Sequence, residues 1–265
     1  MKHAIITGGS SGIGKAVAKL LVLQGVNLSL IARDRARLEL AQQELTQHII
    51  NPTQQIAIFP ADVAQQQEIA IAIQQAIAQL GTPQLLVTSA GMAHPGYFTE
   101  IPLDIFERTM AVNYFGTLYA IRSVLPAMEA AQEGHIAMIS SGAGIIGIYG
   151  YSAYCPSKFA LRGLAESLRG ELKPQGIGVT IIYPPDTDTP QLAAENRIKP
   201  AETKKITATA KTWTAEAVAA QILKGVTRNK FAIAPGMELT ILHRWHSLIN
   251  PILHRYFDRL IINKE

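Results

Sequence analysis

The chain has 265 residues, 48% hydrophobic and 17% charged, enough apolar material for one large α/β domain and too little charge for a disordered chain. One cysteine, Cys155, excludes an internal disulfide framework. There is no signal peptide at Met1-Lys2-His3 and no apolar run of about 18 residues, so a reducing, cytoplasmic location is expected. The net charge of +4 is uneven: residues 1–196 carry 12 basic against 15 acidic side chains, and residues 197–265 carry 12 against 5. The basic part suits an anionic surface. Nucleic acid is not expected, because no reading motif accompanies the charge, and no metal site is predicted.

Ala4 to Thr7 reads as a short apolar strand, and a helix pattern runs from Ile13 to Leu23. Between them lies Gly8-Gly9-Ser10-Ser11-Gly12-Ile13-Gly14, in the strand–turn–helix context of a dinucleotide fingerprint but spaced Gly-x-x-x-Gly-x-Gly. Such glycines let backbone approach a pyrophosphate, and the helix start offers it free N–H groups. The second strand, Asn27 to Ala32, ends without the acidic residue that would hold a ribose 2′-hydroxyl; Arg33, Arg35 and Arg37 follow instead. Arginine pairs with a 2′-phosphate that a carboxylate would repel, which selects NADPH over NADH, with Arg33 and then Arg37 as its partners.

Gln55 to Phe59 is the third strand, followed by Asp62-Val63 and a helix from about Ala64 to Leu80. Asp62 suits an adenine amino group or the helix N-cap, and the two roles are compatible. Gln84 to Thr88 is the fourth strand. Small Ala90 and Gly91 after it let backbone lie against a ribose or nicotinamide. Met92 to Thr99 is a loop, and Pro102 to Met128 reads as one helix carrying Asn113 beside Gly116. A buried amide there either interrupts the backbone ladder and holds a water or is a satisfied core group.

Ile136 to Ser141 is a buried strand ending in a hydroxyl; a flexible apolar loop, Gly142 to Gly150, leads to a helix from about Ser152 to Leu172. Tyr154 and Lys158 lie four apart on that helix, on one face. A cation beside a phenol is expected to draw its pKa down from ~10. Hydroxyl, phenol and ammonium together suit one task, protonating a carbonyl oxygen as hydride arrives. Cys155 reads as a small packing residue at the helix entry. Gly176 to Tyr183 is the sixth strand. The alternation predicts a Rossmann-type doubly wound parallel sheet in a single domain, residues 1–235, with a helical extension over 236–265.

Thr7 to Gly14, Asp62, Ala90-Gly91, Asn113, Ser141, Tyr154-x-x-x-Lys158 and Pro184 together resemble the short-chain dehydrogenase/reductase family over roughly residues 2 to 200. The resemblance implies that Tyr154 is the general acid and that Lys158 lowers its pKa and binds the nicotinamide ribose. It implies too that Ser141 holds the substrate oxygen and that Asn113 supports a water relaying protons to Lys158. Two departures stand out. Thr88-Ser89-Ala90-Gly91 replaces the usual Asn-Asn-Ala-Gly, and Pro184-Pro185 replaces Pro-Gly, stiffening the loop over the nicotinamide. Tyr183 to Pro190, Glu195-Asn196-Arg197 and Lys199-Pro200-x-Glu202-Thr203 are similar to the 3-ketodihydrosphingosine reductase group of that family, which shares the Pro-Pro. That implies a long-chain ketone lipid substrate, a lid over about 186–212, and Thr187 and Thr189 against the nicotinamide carboxamide and phosphates. Asp186 and Asp188 either attract a substrate ammonium or cap turns.

The same residues would serve another lipid ketone, such as a 3-oxoacyl thioester or a steroid. A non-catalytic NADPH-binding sensor would not need the whole Ser-Tyr-Lys set. Leu239 to Ile262 interleaves apolar, aromatic and basic residues, with Pro251 expected to break the stretch in two. It suits peripheral contact with the cytoplasmic face of a membrane, or packing on the core or on a partner subunit. The family analogy implies a homodimer or homotetramer through the helices that carry Asn113 and Tyr154.

Overall fold

A computed structural model describes residues 1–208 and 211–262. Two positions of the expected lid, Thr209 and Ala210, and the last three of the extension, 263–265, lie outside the described residues.

Hydrophobic strands and amphipathic helices alternate as their periodicities predict. The chain forms β1 (His3–Thr7), α1 (Gly12–Val22), β2 (Asn27–Ala32), α2 (Arg35–Thr46), β3 (Ile56–Pro60), α3 (Gln66–Leu80) and β4 (Leu85–Thr88). Then come α4 (Leu103–Met110), α5 (Gly116–Ala131), β5 (Gly134–Ile139), α6 (Tyr154–Leu172) and β6 (Ile177–Ile182). The remainder is β7 (Thr187–Asp188), α7 (Pro190–Ile198), α8 (Ala201–Thr207), β8 (Trp213–Thr214), α9 (Ala215–Val226), β9 (Ala232–Ile233) and α10 (Met237–Ile262). Seven parallel strands order as β3-β2-β1-β4-β5-β6-β9. The order reverses between β1 and β4, and it is there, beyond the carboxyl ends of the strands, that such sheets bind ligands.

Successive strand residues face opposite sides of the sheet, which divides the core in two. Ile5, Ile31, Leu86, Ile136 and Met138 pack with α3, α5 and α6 residues such as Ile73, Ile121 and Leu161. Ala4, Ile6, Leu28, Leu30 and Val87 pack with α1, α2 and α9 residues such as Val17, Leu38 and Ile222. With both faces covered, the strands are mainly apolar, as a parallel sheet requires, and polar strand residues are paired where they occur, as His3 with Ser29 and His135 with Thr180.

The structure departs from the sequence reading in three places. The single helix expected from Pro102 to Met128 is divided by a π-turn at Ala111–Phe115, around Asn113; such a turn widens the backbone ladder, frequently at a functional site. The loop expected to be flexible after Ser141 is packed, with a 3₁₀ turn at Gly142–Gly144 and buried Ile145 and Ile146. Pro251 does not end α10. Its fixed φ is already helical, and the bend falls earlier, at Trp245 (φ −119°, ψ 19°).

The lid is fastened at its base. β7 and β8 form a two-stranded parallel ribbon pairing Thr187 with Trp213 and Asp188 with Thr214, and the Trp213 N–H donates to the Asp186 carbonyl at 2.9 Å. α10 packs on α8. Among the described residues, no helix is long and apolar enough to cross a membrane.

Candidate active site

A cleft of about 610 Å³ opens at the switch point, lined from the β1 turn through the ends of β2, β4 and β5 to the lid. At one end stand Gly8, Ser10, Ser11, Gly12 and Ile13, with Arg33, Arg37, Asp62 and Val63 beyond them. Ala90, Gly91, Ser141, Tyr154, Lys158 and Pro184 line the rest of it, and Thr187 and Thr189 line it from the segment after β6, Thr189 against Gly12. Gly14 and Asn113 do not line it. Gly14 stands behind the turn, where a Cβ would collide with the Gly8 carbonyl oxygen, so it serves helix–strand packing and does not touch a ligand in the cleft.

Asn113 is fully buried and committed to protein partners. Its Oδ1 accepts from the Met92 N–H at 2.8 Å, and its Nδ2 donates to the Met92 carbonyl and to Ser157 Oγ, both at 2.9 Å. Its carbonyl accepts from Thr117 Oγ1 at 2.9 Å. The amide therefore clamps the loop after β4 to α6. Its side chain is the satisfied core group that the sequence reading allowed, and it aligns two walls of the cleft.

The residues present fit a dinucleotide. Gly8 adopts φ +69°, and a Cβ on it would stand 2.6 Å from the Ala90 nitrogen, so the turn can lie flat beneath a ligand only as glycine. Ser11 makes no side-chain cap to α1, which leaves the first N–H groups of the helix for an anion. Arg33 Nη1 lies 3.7 Å from Asp62 Oδ2, and Arg37 Nε lies 3.4 Å from Asp34 Oδ2. Asp62 Oδ1 accepts from the Ala64 N–H at 3.0 Å, so it closes a turn, and α3 starts after it. Thr187 donates to the Pro185 carbonyl at 2.8 Å, and Thr189 Oγ1 caps α7 by accepting from the Leu192 N–H at 3.3 Å. Both threonines thus shape the lid base beside the glycine turn.

α6 starts where β5 and the 3₁₀ turn leave room for it. Lys158 is buried, and its Nζ donates to the Ile139 carbonyl at 3.0 Å while standing 5.5 Å from the Tyr154 ring centroid. Ser141 Oγ accepts from the Ala143 N–H at 3.1 Å and hydrogen-bonds the Tyr154 phenol. Burial pushes the Lys158 ammonium down to about 8, opposed by the charge of Glu195. The Tyr154 phenol is pushed above its ordinary value, by burial first and the Glu195 charge second, while the Ser141 hydrogen bond pulls the other way. Lys158 is not among the groups that lower the phenol, so the lowering expected from its place on the helix is not found. A phenol held in its protonated form is a proton donor ready for use.

Several lining residues escaped the sequence reading. Tyr151, one turn ahead of Tyr154, stands with its ring centroid 5.7 Å away and donates to Glu195 Oε2 at 2.6 Å. Ile148 and Leu192 supply apolar wall, and Met92, as the apolar residues of its loop allow, lines the cleft beside them. A Cβ on Gly142 would meet Leu239 Cδ2 at 3.2 Å, so α10 begins directly behind the catalytic turn. Only the periodicity Tyr151–Tyr154–Lys158 was visible beforehand. Cys155 is buried and accepts from the Ile148 N–H at 3.4 Å, a packing role.

The sequence pattern of the short chain dehydrogenase family matches residues 2–199, and the chain belongs to that family. It is an oxidoreductase. A 3-ketodihydrosphingosine reductase of Bos taurus is 42% identical over 237 residues, covering 89% of this chain and 71% of the relative. Another of that name, from Dictyostelium discoideum, is 38% identical over 98% of this chain and 82% of its own length. Among solved structures, a short chain dehydrogenase/reductase from Burkholderia phymatum in complex with NAD shares the fold with a TM-score of 0.83, at 22% identity over 95% of both chains.

Burial of Lys158 makes its folded pKa lower than its unfolded one, so its contribution to stability is fully present above 10.5 and is lost as pH falls through about 8. Lys158→Met is therefore expected to be more stable than the wild type at pH 7, with the difference closing as pH rises toward 10.5; urea unfolding at several pH values measures it.

Proposed function

We propose that the chain reduces the 3-keto group of 3-ketodihydrosphingosine, a long-chain sphingoid base, with NADPH. The observation that carries this reading is the Tyr154 phenol, hydrogen-bonded to Ser141 beside buried Lys158, at one end of a cleft whose other end combines a glycine turn with Arg33 and Arg37. The similarity to reductases of that name supplies the substrate.

In this reading Gly8, Ser10, Ser11, Gly12 and Ile13 cradle the pyrophosphate, with Gly14 supporting the turn. Arg33 and Arg37 take the 2′-phosphate, Asp62 and Val63 flank the adenine, and Ala90, Gly91, Pro184, Thr187 and Thr189 flank the nicotinamide end. NADPH, when bound, supplies the hydride. Ser141 and Tyr154 hold the ketone oxygen, and Tyr154 gives it the proton that completes the alcohol. Lys158 holds the nicotinamide ribose and stabilises the phenolate left behind. Met92, Ile148, Leu192 and Leu239 offer apolar contact to an alkyl chain, at ~0.8 kcal/mol for each buried methylene. The lid, about 186–212, closes over the pair, within a catalytic domain of residues 1–235.

The extension, 236–265, suits peripheral attachment to the cytoplasmic face of a membrane. Met237, Ile241, Trp245, Leu248, Ile252 and Tyr256 are exposed at three- and four-residue spacing, with exposed Arg244, Arg255 and Arg259 on the same side of α10. Phe115 and Phe159, on the helical segments that carry Asn113 and Tyr154, are also exposed and suit the interface of a homodimer or homotetramer.

With a long-chain 3-keto base, NADPH oxidation is expected at a rate at least tenfold above that with NADH. Tyr154→Phe should lose turnover by about 10²-fold or more while still binding NADPH; an active variant would remove the proposed acid. Liposomes containing anionic lipid are expected to sediment the full chain but not one ending at residue 235, and equal sedimentation would leave α10 a packing element. Light scattering after size exclusion should give twice or four times the chain mass, against a monomer if the phenylalanine faces are simply solvated.

A further inference from the structure

Four acids lie in the segment 186–212, and their surroundings differ; Glu202, on α8, does not line the cleft and accepts from the Tyr97 hydroxyl at 2.9 Å. Asp188 is exposed and does not line the cleft. Asp186 is paired with Lys199, Oδ2 to Nζ 3.8 Å, a lysine whose side chain is 2% exposed. Glu195, on α7, lines the cleft at 8% exposure and is the only buried acidic residue among the described residues. Its oxygens accept from two neutral groups, Oε2 from the Tyr151 hydroxyl at 2.6 Å and Oε1 from Gln191 Nε2 at 2.9 Å. Among the described residues it forms no ion pair. Lys158 feels its charge, but its ammonium contacts the Ile139 carbonyl and forms no ion pair with Glu195.

A buried carboxylate without a contacting cation is costly, because two neutral hydrogen bonds do not replace the water it has lost. The arrangement holds this charge at the reacting end of the cleft: Tyr151, which binds the carboxylate, has its ring 5.7 Å from that of Tyr154. We propose that Glu195 is the specificity determinant of the active site, forming an ion pair with the protonated amine of a substrate that carries it on the carbon next to the ketone. The inference rests on the ketone-reductase reading above and assigns the residue that selects a long-chain α-amino ketone over other lipid ketones. A 3-oxoacyl thioester or a steroid has no cation to offer and would leave the carboxylate buried and unmatched. Asp186 and Asp188, the acids singled out in the sequence for this role, are excluded by pairing and by position. Tyr151 and Gln191 are positioning residues that fix both carboxylate oxygens.

The test compares ketones of one chain length bearing a free amine, an N-acetyl amide, or hydrogen at that carbon. The wild type is expected to prefer the free amine by at least tenfold in kcat/KM, chiefly through KM, as loss of one partner of a buried charged pair implies. Glu195→Gln, which keeps an oxygen for Tyr151, should reduce that preference to about threefold or less, and Glu195→Asp, which keeps the charge, should restore part of it. The preference is a ratio within one protein, so a general loss of folding or of catalytic rate does not move it. A wild type with no preference overturns the inference, as does a preference that survives in Glu195→Gln, while leaving the reductase reading intact. No turnover of any of the three ketones by the wild type overturns the reductase reading, and this inference with it.

Discussion

The hydrogen bond from Lys158 Nζ to the Ile139 carbonyl is the constraint on which the active site depends. It fastens α6 to the last residue of β5, so that the phenol one helical turn earlier meets the hydroxyl that follows the strand. An ammonium buried this way is poorly solvated, and its cost is accepted because one short contact sets the relation of helix to strand. Ser140 Oγ, donating to the Lys158 carbonyl at 3.1 Å, makes the same junction from the other side. Between them they leave Tyr154 little freedom except to face Ser141.

The rest of the cleft is built around that junction from parts with few conformational choices. At the opposite end the glycine turn lies against Ala90 without room for a side chain. Between the ends, Asn113 ties the segment after β4 to α6 through Met92 and Ser157. The lid is tied down at both ends of its length: Gly142 N–H donates to the Pro184 carbonyl at 3.1 Å, and β7 pairs with β8. Between these ties lie α7, which carries Glu195, and α8, on which α10 packs.

The environment divides two kinds of substrate recognition between two elements. In the proposed reading α7 brings the Glu195 carboxylate to the cleft, while the beginning of α10 packs Leu239 behind Gly142. Ionic contact at one atom confers selectivity, whereas an alkyl chain gains affinity in proportion to the methylenes it buries. An amphiphilic ketone requires both, and a helix that is apolar on its outer face as well would shorten the route from a lipid surface to the cleft.

Much of this was legible in advance because it depends on periodicity and local chemistry. The apolar runs specified a parallel sheet, the glycine spacing specified the turn, and Tyr154 and Lys158 share a face at any helical geometry. The division of the helix at Asn113 was half legible, since a mid-helix amide beside Gly116 marks a disturbance but not its width. Packing decided what no local pattern encodes: that Gly14 supports the turn from behind, that Pro251 leaves α10 continuous while Trp245 bends it, and that burial and the Glu195 charge raise the phenol. The sequence by itself determined which groups carry the chemistry, because residue type and short spacing are local properties. Tertiary structure alone decided which acid is buried in the cleft, because long-range folding placed a buried lysine beside Asp186, solvent beside Asp188, and two neutral donors beside Glu195.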